Sequence, residues 1–84
     1  MALVTKTINI GNAWVLVTDK ISLVQFNDKM DIVVNNGDTP TGRTGIRVAP
    51  GEFYTNNGGL TLWAKGYLGG TGLESIRLIE EEDI

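Results

Sequence analysis

Short hydrophobic segments alternate with turn-forming residues along almost the whole chain of 84 residues. The segments are rich in β-branched and aromatic side chains, and Asn, Asp, Gly or Pro separates most of them. Short segments of this kind at near-regular spacing are typical of an all-β sandwich or barrel. The clearest of them are Val15–Val17, Leu23–Phe26, Ile32–Val34, Ile46–Val48, Leu60–Trp63 and Ile76–Ile79.

Extending each segment to its flanking turn residues predicts seven or eight strands, at 2–10, 13–18, 21–26, 30–34, 46–48, 53–55, 60–65 and 73–80. The first alternates imperfectly, which suits an edge strand. The last also fits a helical repeat, and we favour a strand there. The expected fold is therefore a small antiparallel β-sandwich or β-barrel, like a jelly roll.

Alternation within these strands predicts which side chains share a face. Ile21 and Leu23 lie on one face of the third strand, opposite Ser22, Val24 and Phe26. The last strand divides in the same way, with Leu73, Ser75, Arg77 and Ile79 opposite Glu74, Ile76, Leu78 and Glu80.

Composition limits how so small a domain is stabilised. The chain has no Cys and no His, which excludes disulfides, thiolate metal sites and the commonest transition-metal ligand. Small domains bury a smaller share of their surface and are therefore only marginally stable alone. With disulfides and such metal sites excluded, oligomerisation is the remaining way to stabilise the domain. We therefore expect a homo-oligomer. The alternative is a monomer whose hydrophobic core is large enough to keep it folded.

Charge argues against a nucleic-acid partner. The net charge is −3, and the chain ends in the acidic run 80–83. Arg43, Arg47 and Arg77 are dispersed, so we expect them to form ion pairs between subunits rather than a phosphate-binding patch. No signal-peptide pattern is visible, and no apolar run reaches the roughly 20 residues that cross a bilayer. We expect synthesis in a cytoplasm and no membrane contact.

The sequence offers no recognisable catalytic or cofactor motif. Gly69–Gly72 lacks the features of a phosphate-binding loop and fits a hairpin tip. No His is available to activate a hydroxyl, and we find no carboxylate pair that a glycosidase would need. A loose group of oxygen-bearing side chains is a candidate calcium site, but their turn-forming role explains the group equally well. The group is Asp28, Asp31, Asn35 and Asp38. We expect no enzyme activity, no cofactor and no metal.

Aromatic residues are the remaining candidates for function. Trp14 and Phe26 lie in apolar strands and are expected in the core. Trp63 and Tyr67 are expected to be partly exposed, where an aromatic ring anchors a subunit contact or stacks on a sugar. We favour core filling or a subunit contact over a sugar platform.

Several segments taken together resemble a known class of proteins. They are Val24-Gln25-Phe26-Asn27, Gly37-Asp38-Thr39-Pro40, Val48-Ala49-Pro50-Gly51-Glu52, Leu60-Thr61-Leu62-Trp63-Ala64-Lys65 and the closing Ile79-Glu80-Glu81. Over residues 13–80 the chain resembles the small all-β structural proteins of tailed-bacteriophage virions, which decorate or cement the capsid or occupy accessory positions on head or tail. The resemblance carries no site residues.

This resemblance implies a non-enzymatic virion component that is made in the host bacterial cytoplasm. It further implies a homo-oligomer, often a trimer, held by the major capsid protein or another virion protein. The alternative is a carbohydrate- or cell-surface-binding module on a phage tail or fibre. We expect an N-terminal strand or arm at 1–12, a β-sandwich domain at 13–80 and an acidic tail at 81–84. The candidate protein contacts are Leu3, Val4, Ile8, Ile10, Asn36, Asp38, Pro40, Arg43, Trp63 and Tyr67.

Overall fold

The computed structural model describes residues 2–41, 45–67 and 74–82. Its eight strands lie close to those that the hydrophobic pattern predicts. They are β1 (Ala2–Ile10), β2 (Val15–Thr18), β3 (Ser22–Phe26), β4 (Met30–Asn35), β5 (Ile46–Val48), β6 (Phe53–Asn56), β7 (Thr61–Gly66) and β8 (Glu74–Glu82). The all-β prediction is confirmed, and the last segment is a strand rather than a helix.

The strands form two antiparallel four-stranded sheets. The first sheet has the order β1-β8-β3-β6, and the second has the order β2-β7-β4-β5. The first strand pairs with the eighth, the second with the seventh, the third with the sixth and the fourth with the fifth. The chain is thus one long hairpin that is rolled up into two sheets, which is the arrangement of a jelly-roll sandwich.

The hydrophobic core lies between the two sheets. On β8 the inward side chains are Glu74, Ile76, Leu78 and Glu80, all buried. The alternation of β3 is also confirmed, because Ser22, Val24 and Phe26 are buried there. The core is entirely aliphatic apart from one aromatic ring and one thioether: Ile10, Val17, Val24, Phe26, Met30, Ile32, Val48, Leu62, Ala64, Ile76 and Leu78.

A buried carboxylate joins the sheets at one end of the sandwich. Glu80 of β8 forms an ion pair with Lys6 of β1. It also accepts a hydrogen bond of 2.8 Å from the hydroxyl of Thr18, which belongs to the second sheet. Burial by itself raises the pKa of Glu80, but the Lys6 ammonium and the Thr18 hydroxyl outweigh it and hold that pKa below its ordinary value. Glu80 therefore stays ionised, and Lys6 turns its charge inward from an edge strand, which discourages edge-to-edge pairing.

A second buried polar side chain organises the turns at the same end. Asn56 is fully buried, and its amide nitrogen donates to the carbonyl oxygens of Lys20 and Leu60, both at 2.9 Å, and of Asn57 at 3.2 Å. The hydroxyl of Tyr54 donates to its amide oxygen at 3.3 Å. One side chain thus links carbonyls from two separate turns. The Lys20 carbonyl also accepts from the Ser22 hydroxyl, and the Asn57 carbonyl also accepts from the Leu60 amide.

The predicted tight turn at Ala49–Glu52 is present. Gly51 has φ +87°, and Pro50 precedes it, which is the pattern of a type II turn. The amide of Glu52 donates to the carbonyl of Ala49 at 3.2 Å, and the carboxylate of Glu52 accepts from the Ala49 amide at 2.5 Å. This turn carries the chain from β5 in one sheet to β6 in the other.

Three expectations need correction. The segment 1–12 is not a separate arm, because β1 pairs with β8 along its whole length and Ile10 lies in the core. It does form the edge strand that its alternation suggested. Glu81 and Glu82 of the expected acidic tail belong to β8. Trp14 precedes β2 and is only half-buried, so it is not a core residue.

Replacement of Glu80 by Gln should lower the free energy of unfolding by about 1–2 kcal/mol at neutral pH, because a charge-assisted hydrogen bond and an ion pair are lost. The pKa of Glu80 is lower in the folded than in the unfolded chain. Its stabilisation is therefore complete above the ordinary value of 4.5 and disappears as the pH falls through the lower folded value. Urea unfolding of both proteins at neutral and acidic pH measures this.

The matched control is Asp19→Asn, since Asp19 is an exposed acid in a neighbouring turn. Its free energy of unfolding should stay within about 0.5 kcal/mol of the parent at neutral pH. A parent and a Glu80→Gln variant whose stabilities differ equally at neutral and acidic pH would contradict the role given to the Glu80 charge.

Replacement of Asn56 by Ala should cost about 2–3 kcal/mol of unfolding free energy, because the hydrogen bonds that link two turns are lost and a fully buried side chain is removed. Asn56→Asp should be at least as costly, since it turns a carboxylate oxygen towards those carbonyls. The neighbouring exposed Asn57→Ala is the control and should change stability by less than about 0.5 kcal/mol. Thermal and urea unfolding of the three variants test this, and equal stabilities for Asn56→Ala and Asn57→Ala would refute it.

Candidate protein-binding face

The outer face of the first sheet carries large apolar side chains that no part of the described chain covers. Their exposed fractions run from 41% for Ile79 to 68% for Leu3. They come from all four strands of the sheet or from the residue preceding one of them. We call these five residues the apolar face: Leu3, Ile21, Leu23, Phe53 and Ile79.

Strand register brings the apolar face together from distant parts of the sequence. Ile79 of β8 lies directly between Thr5 of β1 and Leu23 of β3, and Leu23 in turn lies opposite Thr55 of β6. Directly paired residues on one sheet face have Cβ atoms about 5 Å apart. Ile79 and Leu23 therefore form a contiguous aliphatic centre for this face.

Two opposite charges flank that centre along β8. Arg77 is exposed and stands two residues before Ile79, while Glu81 is half-buried and stands two residues after it. The amide of Glu81 donates to the carbonyl of Ile21, which fixes this end of the face. Among the described residues neither charge has an ion-pair partner in its own chain, so both remain available for a neighbouring molecule.

The surface between these side chains is shallow rather than cleft-like. One depression of about 370 Å³ includes Leu3, Ile21 and Glu81, and a smaller one of about 120 Å³ includes Phe53 and Arg77. Leu23 and Ile79 line both. A broad, shallow and mostly apolar surface suits a protein partner better than a small substrate, which is held in a concave pocket.

The outer face of the second sheet differs because cations cover its aromatic rings. The ammonium of Lys65 lies 4.8 Å from the centre of the Trp14 ring. The Arg47 guanidinium and the Lys29 ammonium lie 4.1 and 4.9 Å from the centre of the Tyr67 ring. These are cation–π distances. This second face therefore presents charge where the first sheet presents hydrocarbon.

Trp63 does not have the exposure that its alternation suggested. It points to the outer face of the second sheet, yet it is only 7% exposed, because it is enclosed by its register neighbours Leu16 and Val33. Its indole nitrogen donates to the amide oxygen of Asn35 at 3.1 Å. The expectation of a partly exposed Trp63 is wrong, whereas Tyr67 is half-buried as expected.

The candidate contacts in β1 fall into two groups. Leu3 is exposed and belongs to the apolar face. Val4 and Ile8 are half-buried on the inner side, and Ile8 packs against the core. Ile10 is 1% exposed and is a core residue, so its predicted place on a contact surface is wrong.

The predicted loop contacts lie at the end of β4. Asn36 and Asp38 are exposed, and Pro40 is half-buried. Asn35, which was not among the candidate contacts, shapes this turn: its side chain donates to the Asp38 carbonyl at 2.6 Å and accepts from the Gly37 amide at 2.8 Å. Arg43, like the Gly69–Gly72 segment, lies outside the described residues.

Two of the four oxygen-rich side chains considered for calcium have structural partners. Asp28 accepts a hydrogen bond of 3.0 Å from the amide of Ser75, and Asn35 holds its turn and Trp63. In the described ranges no three acidic side chains converge in a way that holds a metal ion. The same ranges contain no helix that is long and apolar enough to span a bilayer.

Four members of the apolar face were missed as candidate contacts by sequence reasoning: Ile21, Leu23, Phe53 and Ile79. The alternation placed Ile21 with Leu23, and Ile79 with Arg77, on the correct faces. It did not show that these faces point outward, because both sides of β3 and β8 carry large apolar residues. Charge gave no signal either, because Arg77 lies on the outward face of β8 whereas Glu74 and Glu80 lie on the inward one.

Comparisons with protein-family models, with curated proteins and with solved structures find no match to this chain.

Proposed function

We propose that this chain is a non-enzymatic structural component of a bacteriophage virion, a capsid decoration, cement or head-associated accessory protein. It acts by covering its apolar face with a neighbouring protein subunit of the particle. The observation that carries the proposal is the apolar face itself: five large side chains on one sheet face, where the described residues form shallow depressions.

The size of this surface supports an assembly role. We estimate that its five side chains leave on the order of 500 Å² of apolar area in contact with water, near the upper end of the largest patch on a typical monomer. Covering that area contributes roughly 25 cal/mol per Å² towards association, before the entropic cost of binding is subtracted. A particle that presents many equivalent sites makes even a modest single contact effective.

The phage assignment has two further supports. The sequence elements described above resemble small virion structural proteins, and the jelly roll is an architecture that viral capsid domains use. Fold by itself does not imply function. The assignment therefore depends on the particle experiment below.

The alternative, a carbohydrate-binding module, has less support from the surface. The jelly roll also serves lectins, and Phe53 is an exposed aromatic ring. However, cations lie over Trp14 and Tyr67, and Trp63 is buried. Phe53 lies opposite Gln25 and lines the same depression as Arg77, but no second exposed ring lies beside it among the described residues.

Particles provide the direct test. Virions that are purified by density-gradient centrifugation from lysates of the host that carries the gene should contain the chain at a constant molar ratio to the major shell protein. Quantitative mass spectrometry measures that ratio. A chain that is abundant in the lysate but absent from purified particles would overturn the proposal.

The Leu23→Asp substitution should reduce incorporation into particles at least tenfold, because a charge at the centre of the apolar face must be desolvated on docking. The matched control is Leu16→Asp. Leu16 is 45% exposed on the outer face of the second sheet, against 46% for Leu23. It should be incorporated like the parent, and unfolding curves should show that both variants fold. Equal incorporation of the two variants would exclude the apolar face as the docking surface.

A further inference from the structure

We infer that the apolar face is covered by a second copy of this chain, related by a two-fold axis that lies between the two facing sheets and runs perpendicular to β8 at the level of Ile79. The inference rests on the proposed function only in naming which neighbouring subunit covers this face. The order of charged and apolar side chains along β8 carries the inference, and the pair is expected to form in solution without any particle.

The outward side chains of β8 are self-complementary about Ile79. Arg77 and Glu81 stand two residues to either side of it, which is about 7 Å along a strand in each direction. If the β8 strand of a second copy runs antiparallel across the first with the two Ile79 side chains in contact, each Arg77 lies over the Glu81 of the other copy. A two-fold axis forms this ion pair twice.

The spacing of packed sheets allows these pairs to form. Two sheets that pack face to face lie about 10 Å apart, with strand directions within about 30° of each other. Extended Arg and Glu side chains together span that separation. Because Arg77 and Glu81 lack an ion-pair partner among the described residues of their own chain, the second copy would supply one for each.

The apolar residues occupy the place that the hydrophobic centre of an interface needs. Leu23 lies beside Ile79 in the same cross-strand row, so two leucines and two isoleucines would meet at the axis. Arg77 and Glu81 would then form the polar rim around them. A dry apolar centre with a charged border is the usual anatomy of a specific interface.

The dimensions of the molecule suit a stable pair. The Cα extents are 37 × 24 × 17 Å. A face bounded by the two longer extents is comparable in area to the roughly 800 Å² that each partner contributes to a standard interface. The outer face of the second sheet exposes less hydrocarbon: Leu16 is exposed there, but cations lie over Trp14 and Tyr67.

This pairing differs from the trimer that the resemblance to virion proteins implies. A face that matches itself about a two-fold axis closes as a dimer. In a particle the second copy would be the neighbouring subunit that covers the apolar face, and the pair would attach through its remaining surfaces. Pairing in solution and incorporation into particles are therefore separate measurements.

Charge reversal tests the inference with the full chain. Sedimentation velocity and light scattering over a wide concentration range should show the parent approaching twice its mass of 9.1 kDa. Arg77→Glu and Glu81→Arg should each weaken self-association about tenfold or more, because each places like charges opposite one another. An equimolar mixture of the two single variants should associate again, since each copy then offers the charge that the other needs.

The control is Asp38→Arg, an exposed position on the loop after β4 that changes the net charge as much as Glu81→Arg does. It should associate like the parent. A parent that stays monomeric, a trimer, unchanged association of the single variants, or a mixture that fails to associate would each overturn the inference. Loss of Leu23→Asp from particles together with a monomeric parent would leave the proposed function standing and this inference refuted. A parent that forms the dimer in solution but is absent from particles would refute the proposed function and leave this inference standing.

Discussion

The register of β8 is the constraint on which the rest of the molecule depends. This strand lies between β1 and β3 in the first sheet, and it pairs with both along most of its length. Because side chains alternate strictly, its pairing places Ile76, Leu78 and Glu80 inside and Arg77, Ile79 and Glu81 outside. A slip by one residue would exchange these sets and remove both the core and the apolar face.

The buried polar groups reinforce that register. Glu80 reaches Lys6 on one neighbouring strand and Thr18 in the opposite sheet, and Thr18 and Ser22 also share a hydrogen bond of 2.9 Å. Every described buried side-chain nitrogen and oxygen has a hydrogen-bond partner. A shift by two residues would keep Glu80 inside but separate its carboxylate from Lys6 and Thr18, which costs several kcal/mol. The network therefore favours one pairing over its alternatives.

The two outer faces of the sandwich differ in the side chains that they present. The first sheet presents hydrocarbon flanked by Arg77 and Glu81, and the second presents aromatic rings covered by cations. The proposed function depends on which of these faces binds a partner. The apolar face is the stronger candidate, because leaving it in water has a continuing free-energy cost that a protein partner removes.

The sequence by itself determined the strands, the turns and the division of each strand into two faces, because a period of two and Gly, Asn, Asp or Pro turns are local properties of the chain. It also determined the absence of disulfides and imidazole chemistry. Tertiary structure decided which face of β3 and β8 points inward, that Ile10 and Trp63 are buried, and that Leu3, Leu23 and Ile79 meet on one surface. Those outcomes depend on pairing between strands that are far apart in the chain, such as β1 with β8. Local periodicity carries no information about which of two apolar faces another sheet will cover.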